Sequence, residues 1–102
     1  MLDAANARHE SATQTALGEL SENLTALDAA RRTEHLVATS LLPQADLTFQ
    51  SALAAYENGK VDFATLLDAQ RQIRRAKQER LKAQAEAQAR LADIERIVGA
   101  DL

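Results

Sequence analysis

Eight residues, Tyr56-Glu57-Asn58-Gly59-Lys60-Val61-Asp62-Phe63, constrain the fold of this chain most, because they join a helix stop, a turn and a helix start. Asn58-Gly59 ends a helix: glycine has no Cβ and enters the left-handed region without steric cost. Asp62 is placed to cap the next helix, its carboxylate accepting the unpaired backbone N–H groups of the first turn. Val61 and Leu66 fall at the N′ and N4 positions around that cap, the spacing of a hydrophobic staple. Helical periodicity lies on both sides of the turn. The expected fold is therefore all-α, a long antiparallel two-helix hairpin over residues 1–102. Its helices span about 4–58 and about 63–98, with the turn at about 58–62.

Composition agrees. Alanine supplies 22 of 102 residues, against three aromatics, three glycines and one proline. The rest is dominated by leucine, glutamate, glutamine, lysine and arginine, the usage of long helices and coiled coils. No run of β-branched and aromatic residues predicts a strand. The chain has no cysteine, which rules out disulfides and thiolate chemistry. No apolar run approaches the ~20 residues of a membrane-spanning helix. The first residues lack a basic stretch followed by an apolar one, so no signal peptide is expected.

Net charge is −3, which argues against nucleic acid. Its distribution is uneven: residues 1–58 carry eight acids and three bases, residues 59–102 nine bases and seven acids. Antiparallel packing would set an acidic helix beside a basic one, a modest gain of ~0–1 kcal/mol per exposed pair.

In the first half, Ser11 with Gln14 has capping-box spacing, and Asp3 offers an earlier start. Leu17, Leu20, Leu24 and Leu27 follow at 3-4-3 spacing, a coiled-coil seam interrupted by Gly18. Arg31 and Glu34 continue that register poorly. Apolar residues resume at Leu36, Val37, Leu41 and Leu42, just before Pro43. Proline deletes a backbone bond and crowds the preceding turn. A bend near Pro43 is expected rather than a stop, because Phe49, Leu53 and Tyr56 continue the period. In the second half, Phe63, Leu66, Gln70, Ile73, Lys77, Gln84, Ala87, Leu91, Ile94 and Val98 mark a heptad repeat, and Gly99 is a plausible stop. A second stripe of Ala69, Ala76 and Ala83 runs beside it. Two stripes on one helix imply neighbours on two sides. Thirty-six helical residues span roughly 54 Å, and a hairpin of that length has no third layer. Assembly with further helices, or membership of a larger chain, is expected.

The motif Leu41-Leu42-Pro43-Gln44-Ala45, followed by Tyr56-x-x-Gly59 and then Leu66-Leu67-Asp68-Ala69-Gln70, carries a resemblance. It closely resembles the C-terminal helical hairpin of outer membrane efflux proteins, the TolC-like family. Within that family it is most similar to the heavy-metal branch typified by CusC and CzcC. The likeness is strong over residues 41–75 and fair over 17–99. It implies a segment of a trimeric channel-tunnel, in which a β-barrel in the outer membrane continues as an α-helical barrel through the periplasm. The hairpin turn would lie at the periplasmic tip, gate the pore and meet a periplasmic adaptor that links it to an inner-membrane efflux pump. By position, the resemblance makes Tyr56 a tyrosine of the closed tip's hydrogen bonding, Gly59 the turn glycine and Asp68 an acid facing the pore. Some members carry an arginine two residues after the turn glycine and an acid three residues before the Asp68 position; here these are Val61 and Thr65. Lys60 and Asp62 are candidates for alternative salt bridges at the tip. The family's strands, first hairpin and export signal are not in these residues, so the chain would meet a membrane only through such parts. The implied location is the outer membrane and periplasm, or the cytoplasm if the hairpin stands alone.

Plainer readings stand beside these. Tyr56 can pack its ring at the hairpin end with its hydroxyl wet, and Asp68 can serve as an acid near a helix N-terminus. Arg71, Arg74, Arg75, Lys77, Arg80 and Lys82 read as a solvated face paired with the acidic first helix. No aromatic residue interleaves them for nucleic-acid stacking. His9 and His35 lack metal-ligand spacing, so no metal site is expected. No nucleophile–base pair or phosphate loop is visible, and neither enzymatic chemistry nor a cofactor is expected. The alternative function is a free-standing, self-associating helical hairpin acting as an interaction module.

Overall fold

The computed structural model describes residues 2–101. Helix α1 (Leu2–Leu36) passes through a π-helical turn (Val37–Leu41) into α2 (Leu42–Glu57); a short turn then leads to α3 (Phe63–Asp101). The architecture is an all-α hairpin with no strand among the described residues. Alanine, leucine and straight-chain polar residues lose little side-chain freedom in a helix, which is why so few tertiary contacts sustain such long ones. α3 runs past Gly99 to Asp101. Among the described residues, no helix is long and apolar enough to cross a membrane.

The chain divides into two compact units, one of residues 31–84 and one of the segments flanking them. In the flanking unit, Leu27, Ala30 and Ala87 form a core against which Leu91 and Ile94 pack. Ile97 is wholly buried there. Asn23 is buried too, at 8 % exposure, and its amide is satisfied on both sides. Nδ2 donates to the Glu19 carbonyl at 2.9 Å, and Oδ1 accepts from Arg90 Nη1 at 3.0 Å. Arg90 Nε in turn donates to Glu86 at 2.8 Å. A satisfied polar group on an apolar seam favours one register over slipped ones, because a slip would strand it.

In the turn-bearing unit the buried side chains are Val37, Ala45, Ala69, Ala76 and Ala83. A seam of alanine methyls lets helix backbones approach closely, but each buried methyl contributes only about 0.8 kcal/mol. Val37, at 0 % exposure, is the one larger side chain fully enclosed in this unit. A polar cluster again crosses the seam: Glu34 Oε1 accepts from Gln84 Nε2 at 2.8 Å, with Arg80 Nε 4.0 Å away.

Three expectations from the sequence need correction here. Leu17 and Leu24 are half exposed; the buried residues of α1 are Ala16, Asn23, Leu27 and Ala30, of which Leu27 alone belongs to the expected seam. On α3 the alanine stripe is the buried one, whereas Phe63 is 60 % and Val98 48 % exposed. Small residues make much of the close approach in both helices, with Leu27 and Ile97 the larger side chains buried beside them. The basic run is not neutralised by the acidic half either. Among the described residues, Arg80 alone of its six cations comes within 4.0 Å of a carboxylate.

The chain meets Pro43 with the π turn. The Leu42 N–H bonds the Val37 carbonyl five residues back, and Pro43 then falls in the first turn of α2, where no N–H is required. The turn holds one residue more than an α-turn would. Its effect is visible in burial: Val37 is followed on the seam by Ala45, eight residues on, while Gln44, at the heptad position, is exposed. The seam changes phase here because the backbone takes up an extra residue.

Candidate functional site

The turn-bearing unit holds all five residues that the sequence singled out for the tip: Gly59, Lys60 and Asp62 lie in the turn itself, Tyr56 in the last turn of α2 and Asp68 in α3. α2 ends in two nested backbone bonds. The Lys60 N–H reaches the Ala55 carbonyl at 2.8 Å, and the Gly59 N–H reaches the Tyr56 carbonyl at 3.0 Å. This is a Schellman closure with Gly59 at the left-handed position, φ 69°. Asn58 adds a side-chain bond, Nδ2 to the Ala54 carbonyl at 2.9 Å.

Two residues further on, Asp62 starts α3. Its Oδ1 accepts both the Thr65 backbone N–H at 3.0 Å and the Thr65 hydroxyl at 2.8 Å. The hydrogen bond from the Thr65 backbone, then that from the Thr65 hydroxyl, holds the Asp62 carboxyl below its ordinary value. Asp62 is thus engaged by its own helix, and no ion pair with Lys60 forms within the chain. Val61 and Leu66 are both half-buried at the staple positions.

Tyr56 is 41 % exposed. Its ring meets that of Phe63 edge-on, with centroids 6.0 Å apart at 63°. An edge-to-face aromatic pair of this kind contributes about 0.5–1.5 kcal/mol beyond its burial. The pair bridges the last turn of α2 and the first residue of α3, so it clasps the hairpin end. Asp68 stands apart from this arrangement. It is exposed, six residues beyond the cap, and accepts a long bond from Gln72 at 3.3 Å.

Phe63 and Thr65 were not singled out for the site from sequence. Their signals were present: Asp-x-x-Thr has capping spacing, and two of the three aromatics bracket the turn. Chemically the site is a rigid corner with an exposed cation at Lys60 and an exposed acid at Asp68. Among the described residues no three of His, Asp or Glu gather to hold a metal ion.

Comparison with known proteins bears on what such a corner is for. The family model described as outer membrane efflux protein matches residues 1–100. No curated protein and no solved structure matches the chain.

Proposed function

We propose, because the chain belongs to the outer membrane efflux protein family, that its interhelical turn forms the periplasmic entrance of a trimeric channel-tunnel. In this reading the hairpin gates the pore and docks a periplasmic adaptor that connects it to an inner-membrane pump. The exported solutes in this reading are heavy-metal ions or other toxic solutes, following the branch that the chain most resembles. The channel is passive, and the pump supplies the energy.

The observation that carries the proposal is the build of the turn. A Schellman closure, an aspartate cap and an aromatic clasp occur within the eleven residues 55–65. A connection with no task beyond joining two helices tolerates looser chemistry. A tip that must open and close as a body benefits from a corner that does not deform. Gly59 then supplies the left-handed corner and Asp62 fixes the start of α3. Tyr56 presents its hydroxyl outward, Lys60 offers the tip cation, and Asp68 places a carboxylate toward permeating solute. Half-exposed Leu17 and Leu24 and the exposed Leu81 suit neighbouring helices in such an assembly.

Planar-bilayer conductance of the assembled channel tests this. Tyr56→Phe is expected to raise the open fraction by removing a tip hydrogen bond, and Asp68→Asn to lower cation selectivity. Wild-type gating and selectivity in both variants would refute the assignment. The same exposed leucines support a second reading, a free-standing hairpin that self-associates as an interaction module.

A further inference from the structure

The two sides of α3 differ in chemistry. Successive helical residues turn by about 100°, so the buried stripe of Ala69, Ala76 and Ala83 divides the rest of the helix in two. On one side Asp68, Gln72, Arg75, Glu79 and Lys82 follow at three- and four-residue spacing, and all five are exposed. The 3.3 Å bond from Gln72 to Asp68 lies on this side. Between residues 68 and 82, no large apolar side chain of α3 falls there. The other side carries Ile73 and Leu81 together with Arg74 and Lys77. Ile73, Arg74 and Lys77 line a groove of 220 Å³ on it.

The polar side is hollowed. Gln72, Arg75 and Glu79 face Gln44, Thr48 and Leu41 across a groove of 300 Å³, whose floor is Ala45 and Ala76 of the alanine seam. Arg75 is unengaged in it. Among the described residues it makes no hydrogen bond, and no carboxylate comes within 4.0 Å of it. Glu79 stands four residues on, but a base that precedes its acid is the weaker order for a helical pair. Arg71, four residues before, repels it. A guanidinium charge is thus left facing the groove.

We infer that Arg75 is a second selectivity-determining charge of the tunnel, and that solutes bearing an oxyanion group engage it as they pass. The inference rests on the channel reading, in which Asp68 faces permeating solute. Arg75 lies seven residues from Asp68, roughly 10.5 Å along the helix and within about 20° of it around the axis. A wall that turns Asp68 toward the lumen therefore turns Arg75 toward it too. Ile73 and Leu81 then turn away, toward the neighbouring helices that apolar side chains require. In a trimer the carboxylates and the guanidiniums form successive rings of opposite sign. Acidic rings favour cations and arginine rings favour anions, and a guanidinium takes a carboxylate or other oxyanion in a two-pronged bond. A face that served solvation alone would explain the exposure of Arg75, but not why the large apolar residues keep to the other side.

Reversal potentials of the assembled channel in a KCl gradient across a planar bilayer test this. Arg75→Gln is expected to raise the potassium-over-chloride permeability ratio by about twofold or more, opposite in sign to Asp68→Asn. Arg74→Gln, the same change one residue away on the other side, is expected to leave the ratio unchanged. A wild-type ratio in Arg75→Gln beside a shifted ratio in Asp68→Asn would overturn this inference and leave the channel reading standing. Wild-type ratios in both would overturn the two together. An equal shift from Arg74→Gln would overturn the inference as well, since only the side of the helix distinguishes the two arginines. As an independent check, Arg75→Cys labelled with a bulky thiol reagent is expected to lower the single-channel current, and Arg74→Cys treated in the same way to keep it. An unchanged current in labelled Arg75→Cys would remove Arg75 from the lumen.

Discussion

Gly18 and Gly59 provide a comparison in which one chemical change has opposite effects. A Cβ added at either position meets no atom within 4 Å, so packing contributes nothing to the difference. Gly18 lies inside α1, where glycine costs about 1 kcal/mol relative to alanine through backbone entropy. Gly59 sits at φ 69°, where a side chain costs roughly 1–2 kcal/mol because its Cβ crowds the following carbonyl. Gly18→Ala should therefore stabilise the chain by about 1 kcal/mol, and Gly59→Ala should destabilise it by about 1–2 kcal/mol. For a chain of this size each kilocalorie moves Tm by roughly 4–8 °C. The two variants should thus separate by more than about 8 °C. Gly59→Asn should recover part of the loss, since asparagine visits the left-handed region more readily than other side chains. The assay is thermal unfolding followed by circular dichroism at 222 nm, with chain concentration held fixed because association shifts Tm. Shifts of the same sign in both alanine variants would refute the reasoning, because only the backbone angle distinguishes the two sites.

Further expectations concern the seam, the cap and the π turn. Val37→Ala, at a fully buried site, should cost about 1.5–3 kcal/mol in urea unfolding, whereas Leu47→Ala, at 68 % exposure, should stay within about 0.5 kcal/mol. Comparable losses at the two sites would mean that the seam is misplaced. The Asp62 carboxyl is held low in the folded chain by Thr65. Its stabilisation is therefore complete above the unfolded value and is lost as pH falls through the lower folded value. Asp62→Asn should flatten the acid limb of stability between those points, and an unchanged limb in a pH titration of Tm would contradict the cap. Deleting Ser40 in a Pro43→Ala background puts Ala45 seven residues after Val37 and should give an uninterrupted α-helix with a higher Tm; a lower Tm would show that the π turn is not an inserted residue.

The turn was legible in the sequence because its residues each do one thing to a backbone. Glycine at 59 supplies a left-handed residue, aspartate at 62 supplies an acceptor at a helix start, and few other arrangements use them in that order. The hairpin followed, and residues 41–70 carried the family. The seam was harder to read. Leu17 and Leu24 have the spacing of a coiled-coil core, but so do Ala16, Asn23 and Ala30 one position away. Periodicity shows that a helix has apolar stripes; it does not show which stripe meets which neighbour. Alanine won at 16 and 30 because two helices joined by a short turn gain most where their backbones come closest, and Leu17 and Leu24 were left half exposed while Leu27 stayed in the core. The π turn was invisible to periodicity for a related reason. An eight-residue step between Val37 and Ala45 looks like a change of face until the backbone is seen to hold the extra residue. At the site, the Tyr56–Phe63 clasp was missed because Phe63 also fits a heptad, and a residue that satisfies one pattern invites no second explanation.

We propose that this turn is the periplasmic tip of an outer membrane efflux channel. The most direct measurement is an immunoblot of fractionated source cells with an antibody raised against residues 41–75. The account predicts signal in the outer membrane fraction, migrating as a heat-dissociable oligomer. Signal confined to the soluble fraction at the 11.1 kDa mass of this chain would contradict it.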